Sequence, residues 1–176
     1  MLVVKFSKTL TAVYMSHLDL MRAINRTIKR AGYEPKFSQG HNPHALLKLS
    51  PPIPVGLSST SEYFTLAIEA TDKDKFLKDL NFSAPQGLEF LKVWETEKDP
   101  GLAREIIMAE YEISGLNSPL TVELPLGQKT VRVDNYIKEY NEKHGTFLSL
   151  KNAVKTKSFV MIGEKLVEPF TAYPQA

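Results

Sequence analysis

The sequence predicts an α+β protein: an N-terminal ferredoxin-like βαββαβ unit over residues 1–97, then a smaller α+β unit over residues 98–176. Three observations point there. Short runs rich in Val, Ile, Phe and Tyr alternate with segments whose apolar residues recur at helical spacing. Before the turn-rich Lys98-Asp-Pro-Gly101 they fall in the order strand, helix, strand, strand, helix, strand. Apolar residues make up 43% of the 176, enough for a core, and charged residues 24%, ordinary for a globular surface.

Leu2 to Phe6 is a short apolar run with two valines and reads as a strand. Ser16, with Asp19 three residues later, resembles a capping box with Asp in place of Glu or Gln. A helix is expected from His17 to Arg30, closed by Gly32. Its apolar face is Leu20, Met21, Ile24, Ile28 and Ala31; its polar face carries Arg22, Arg26, Lys29 and Arg30. Residues 33–44 contain two prolines and a glycine, which forbid a regular element across the middle. Leu46 to Leu49 reads as a short strand, Pro51 to Pro54 as extended chain, and Gly56 with Ser58 to Thr60 as a turn. Glu62 to Ala70 alternates as a strand should, Thr71 to Leu80 reads as a helix, and Leu88 to Trp94 as a strand. Further on, Ile107–Ser114 and Leu120–Leu124 read as strands. Asp134 is the expected cap of a helix reaching His144 and stopped by Gly145. Phe147–Leu150, Ser158–Ile162 and Leu166-Val167 are expected strands, with Gly163-Glu164 as the last tight turn.

Composition removes several classes of function. The chain has no cysteine, so it forms no disulfide and supplies no thiolate to an iron–sulfur cluster or zinc. No phosphate-binding glycine loop, Gly-x-Ser-x-Gly elbow or Gly-x-Gly-x-x-Gly fingerprint is present. No apolar run approaches the roughly 18 residues of a membrane span. The first residues read as a strand rather than a secretory signal, so the cytoplasm is the expected compartment. The net charge of +2 hides an asymmetry: residues 1–50 carry eight Lys/Arg against two acids, and the remainder sums to −4. A basic N-terminal part can face an anionic partner, or simply be a solvated surface.

Polar candidates cluster in two stretches. Ser16, His17, Asp19 and Arg22 open the first helix; Ser38, Gln39, Asn42 and His44 lie in the stiffened segment after it. Free N–H groups of the helix start, with Arg22, suit an anion, and Arg22, Arg26, Lys29 and Arg30 suit a nucleic-acid backbone. Gln39 and Asn42 offer paired donors and acceptors for positioning a ligand. His17 with Asp19 is a conceivable acid–base pair, yet the positive end of a helix disfavours an imidazolium, and local hydrogen bonding is the expected role of His17. His41 and His44, with His17 and Asp19, form no specific metal signature, so no metal site is expected. Tyr14, Tyr33, Phe37 and Tyr63 are candidates for base stacking, though core packing is the commoner fate of such residues. A single polar surface requires the two stretches to meet.

The run Tyr14-Met-Ser-His-Leu-Asp-Leu-Met-Arg22 resembles the YxSHLDLMR signature of the radical SAM-linked domain of unknown function family. Phe37-Ser-Gln-Gly-His-Asn-Pro-His44 is similar to that family's YSQGFNPHP, and Pro52-Ile-Pro-Val-Gly56 and Ser61-Glu62-Tyr63 follow in the same order. Phe37 departs from the usual Tyr, His41 from the usual Phe and Ala45 from the usual Pro, which weakens His41 as a ligand. The matched blocks cover about residues 1–70. The resemblance implies an accessory or substrate-presenting role beside a radical SAM enzyme, with RNA a candidate substrate. It implies no catalysis by this chain alone, and no cofactor on it; iron–sulfur cluster and S-adenosylmethionine would sit on the partner. The alternatives are a stand-alone enzyme using His17, Asp19 and His44, and a protein–protein adaptor.

Overall fold

The computed structural model describes residues 1–69, 72–126 and 132–173. The α+β class is as the sequence predicts. Strands β1 (Leu2–Lys8), β2 (Leu47–Leu49), β3 (Ser58–Leu66) and β4 (Leu88–Glu95) alternate with helices α1 (His17–Arg30) and α2 (Lys73–Ser83). They lie in the order β4-β1-β3-β2, every pair antiparallel. Beyond them come α3 (Leu102–Glu105), β5 (Ile106–Ile113), β6 (Leu120–Pro125), α4 (Val133–His144), β7 (Ala153–Ile162), β8 (Lys165–Val167) and α5 (Pro169–Ala172). The sheet continues across the boundary expected at residue 97, because β7 lies parallel to the start of β3 at Ser58 and Ser59. β5 and β6 then extend it, and among the described residues eight strands form one sheet.

Helix α1 starts and stops for local reasons. The Ser16 Oγ accepts from the Asp19 backbone N–H (3.2 Å). At the other end the Tyr33 N–H donates to the Ile28 carbonyl and the Gly32 N–H to that of Lys29, with Gly32 at φ +83°. That is the double closure a left-handed glycine permits. Leu20, Ala23, Ile24, Thr27 and Ile28 are buried, a slightly wider stripe than the apolar residues alone suggest. They pack with Phe76 and Leu80 of α2 on Leu2, Val4, Phe6, Phe64, Leu66 and Phe90. Phe6, Phe64 and Phe90 meet with ring centres 5.8–6.3 Å apart. Burying each such ring stabilises the fold by about 1.5–3 kcal/mol.

The opposite sheet face is not left to solvent. Val3, Tyr63 and Trp94 are covered by Leu102, Ile106 and Val160, and Phe170 of α5 meets Trp94 edge-on at 5.4 Å. A third cluster under α4 joins Val133 and Ile137 to Tyr111, Ile113 and Leu57.

Three expectations need correction. Ser58–Thr60 is not a turn but the start of β3, because pairing with β7 and bonds to its hydroxyls outweigh the turn preference of serine. Phe147–Leu150 is not a strand: the Asn141 side chain holds both backbone groups of Leu148 (2.8 and 2.9 Å), and Phe147 projects fully into solvent. Helix α4 is flanked by Arg132 rather than capped by Asp134, whose carboxylate instead pairs with Arg132 at 3.0 Å. A 3₁₀ turn at Leu10–Tyr14 and the short α3 and α5 carried no legible signal. The expected start of α2 at Thr71 lies outside the described residues. Among the described residues no helix is long and apolar enough to cross a membrane.

Candidate functional site: a buried charged cluster beneath helix α1

The row that buries Leu66 and Phe64 under the helices continues to Glu62 two residues earlier, opposite Phe6 of β1. Glu62 is 3% exposed. Its Oε1 accepts from Lys155 Nζ (2.8 Å) and Ser59 Oγ (2.8 Å), and its Oε2 from Ser50 Oγ (3.0 Å). Ser50 in turn accepts from the Tyr63 N–H (3.2 Å), which fixes its rotamer. Lys155 comes from β7 and is wholly buried. Strand β1 brings a second buried cation: Lys8 is 2% exposed and donates to the Met15 carbonyl at 3.0 Å. His17, the first residue of α1, closes the cluster from above and is itself exposed at the surface.

These groups surround a small cavity lined by Lys8, His17, Ser50 and Glu62, with apolar walls from Leu20 and Ile53. Its volume is about 10 Å³, room for one water-sized group. Burial pushes the Lys8 ammonium below the usual lysine range, and the Glu62 charge only partly restores it. Burial likewise lowers His17; Glu62 opposes the shift and Lys8 adds to it. At neutral pH His17 is therefore the uncharged imidazole, able to donate through one ring nitrogen and accept through the other. Exposed apolar side chains stand on the surrounding segments: Tyr14, Leu18 and Val55, the last held near Tyr14 by a Gly56 N–H bond to the Val13 carbonyl (2.8 Å).

The family model described as "Uncharacterized protein conserved in bacteria (DUF2344)" matches residues 1–162, a stretch that holds every member of this cluster. The chain belongs to that family. No curated protein gives a significant match to this DUF2344 protein.

The residues expected from sequence are placed in two networks rather than one. At the start of α1, Ser16 donates to Asp19 Oδ2 (2.7 Å) and Arg22 to Asp19 Oδ1 (3.3 Å), all on the outside. Those local bonds, with Ser16 first, hold the Asp19 carboxyl below its usual range. In the loop, Ser38 Oγ meets His44 Nδ1 (2.9 Å) and accepts the His44 N–H (3.1 Å), while the chain pairs Phe37 with Ala45. Gln39, Asn42 and His44 are exposed. Among the described residues no hydrogen bond joins the loop to Ser16–Arg22. The helix meets the loop instead at Lys29, whose ammonium lies 5.7 Å from the Phe37 ring centre. Lys29 is roughly 18 Å along the helix axis from His17. The sheet register separates them: the loop is anchored through Lys36 to Ala67, beyond the Leu2–Leu66 end of the β1–β3 pair, whereas His17 stands beside Lys8 at the other end.

Of the expected site residues, only His17 enters the buried cluster. Of the aromatics considered for stacking, Tyr63 is core and Tyr33 donates to Asp79 (2.7 Å); Tyr14 and Phe37 remain exposed. Among the described residues, no three His, Cys, Asp or Glu side chains are arranged to hold a metal ion. Lys8, Ser50, Glu62 and Lys155 were missed. One signal for Glu62 existed: it shares the parity of Phe64 and Leu66 on a strand that is buried on both faces. Nothing in the sequence links it to a lysine 93 positions later.

Proposed function

We propose that this protein is an accessory module that binds RNA through the outer face of α1 and presents it to a radical SAM enzyme. The observation carrying the reading is the row of exposed cations Arg22, Arg26, Lys29 and Arg30, opposite the buried stripe of the same helix. It spans roughly 12 Å of helix. The row is braced: Arg30 donates to the Ser83 carbonyl (2.7 Å) and Arg22 is steadied by Asp19. Fixed cations lose less entropy on meeting phosphates than free ones. The tie to a radical SAM partner rests on the motif resemblance of residues 14–22, 37–44, 52–56 and 61–63. With no cysteine here, the iron–sulfur cluster and S-adenosylmethionine would belong to that partner. The stand-alone enzyme reading draws no support from contacts, since Asp19 bonds to Ser16, His44 to Ser38, and His17 lines the buried cavity.

The test is RNA binding across a salt series, with co-purification of a radical SAM protein as its second arm. Affinity should fall steeply with salt, and the log–log slope should shrink by about 1 for each cation removed in Arg22→Ala and Arg26→Ala. Absent binding at low salt, or an unchanged slope in both variants, overturns the RNA role. Failure to recover a radical SAM protein overturns the presenting role.

A further inference from the structure

Lys8 is the charge the fold leaves unexplained. It is 2% exposed, yet among the described residues its ammonium makes one hydrogen bond, to the Met15 carbonyl, of the three it can donate. Glu62 compensates it only in part, because the same carboxylate is bonded directly to Lys155, Ser59 and Ser50. Two buried cations therefore share one buried carboxylate, and a buried charge without a counterpart is costly. A water in the cavity would satisfy a donor but would leave the charge. The cavity wall holds Lys8 and His17 together, and its volume of about 10 Å³ admits one oxygen atom.

We propose that this cavity is an oxyanion subsite: a carboxylate or phosphate group of a small molecule seats one oxygen against Lys8 Nζ, with His17 at the mouth donating to a second. The narrow interior sets the depth of entry at one oxygen, and the rest of the ligand stays outside. Glu62 in the same wall favours a group with a single negative charge. The site is separate from the cationic row of α1 and does not rest on the RNA reading.

Thermal unfolding of the full chain at constant ionic strength tests this, with acetate and inorganic phosphate as separate probes against chloride. A saturable Tm rise of roughly 3–6 °C is expected at ten times the half-saturating concentration. Lys8→Met should fold and lose the rise, whereas Arg22→Ala should keep it, which separates this site from the helix face. A response to acetate alone assigns a carboxylate ligand, to phosphate alone a phosphoryl one, and to both an oxyanion of either kind. No saturable rise with either probe, or a rise retained in Lys8→Met, overturns the subsite. If Lys8→Met does not fold, the His17 ring resonances of the wild-type chain decide: they should shift with the same midpoint as the Tm, and their constancy overturns the subsite.

Discussion

The Ser38–His44 loop and the Glu62 cluster are both dense in polar groups, and the structure uses them in opposite ways. The loop is contiguous in sequence, exposed, and bonded to itself through Ser38 and His44. The cluster draws Lys8, His17, Ser50, Glu62 and Lys155 from five separate segments around a small, largely buried cavity. In water the loop's bonds compete with solvent and are worth little; inside the fold the same bond types are strengthened and expensive to leave unmade. Density of polar residues along a chain therefore says less about a site than convergence of a few across it.

Breaking the cluster should give the largest effect. Glu62→Ala leaves Lys155 buried without a partner, and Lys155→Met leaves Glu62 so; each should cost about 3–5 kcal/mol in denaturant unfolding. Ser50→Ala comes next, at about 1.5–3 kcal/mol, because it removes a donor to a charged group and the acceptor of the Tyr63 N–H. A pH series sharpens the role of His17. Its folded pKa lies below the unfolded value, so the unfolded chain binds more protons as pH falls past the ordinary histidine value of about 6.5. Stability should therefore decline below that pH, and His17→Gln should flatten the decline. In the loop, Ser38→Ala and Asn42→Ala should each change stability by no more than about 0.5 kcal/mol. A loop variant costing as much as Glu62→Ala would reverse the comparison.

The two regions also differ in legibility. Helix α1 was readable to its boundaries, because the Ser16 cap, the apolar stripe and the Gly32 closure are all local. The strands β4, β5 and β6 were readable from apolar pattern within a residue or two. The start of β3 was not, since Ser58–Thr60 has turn composition and becomes strand only by pairing with a segment near residue 155. For the same reason the site was half visible: His17 lies in a recognisable motif, while its neighbours gain meaning only from β1, β3 and β7 lying side by side. The loop and the start of α1 do not meet as expected, because the loop is anchored at Ala67 and the helix start stands beside Lys8, at opposite ends of β1.

A double-mutant cycle on Glu62→Gln and Lys155→Met probes the cluster most directly, since these residues join β3 to β7 across the molecule. The double variant should be far more stable than the sum of the two single losses implies, with a coupling of at least about 2 kcal/mol. Additivity within about 0.5 kcal/mol would mean that the two charges do not act as one buried unit.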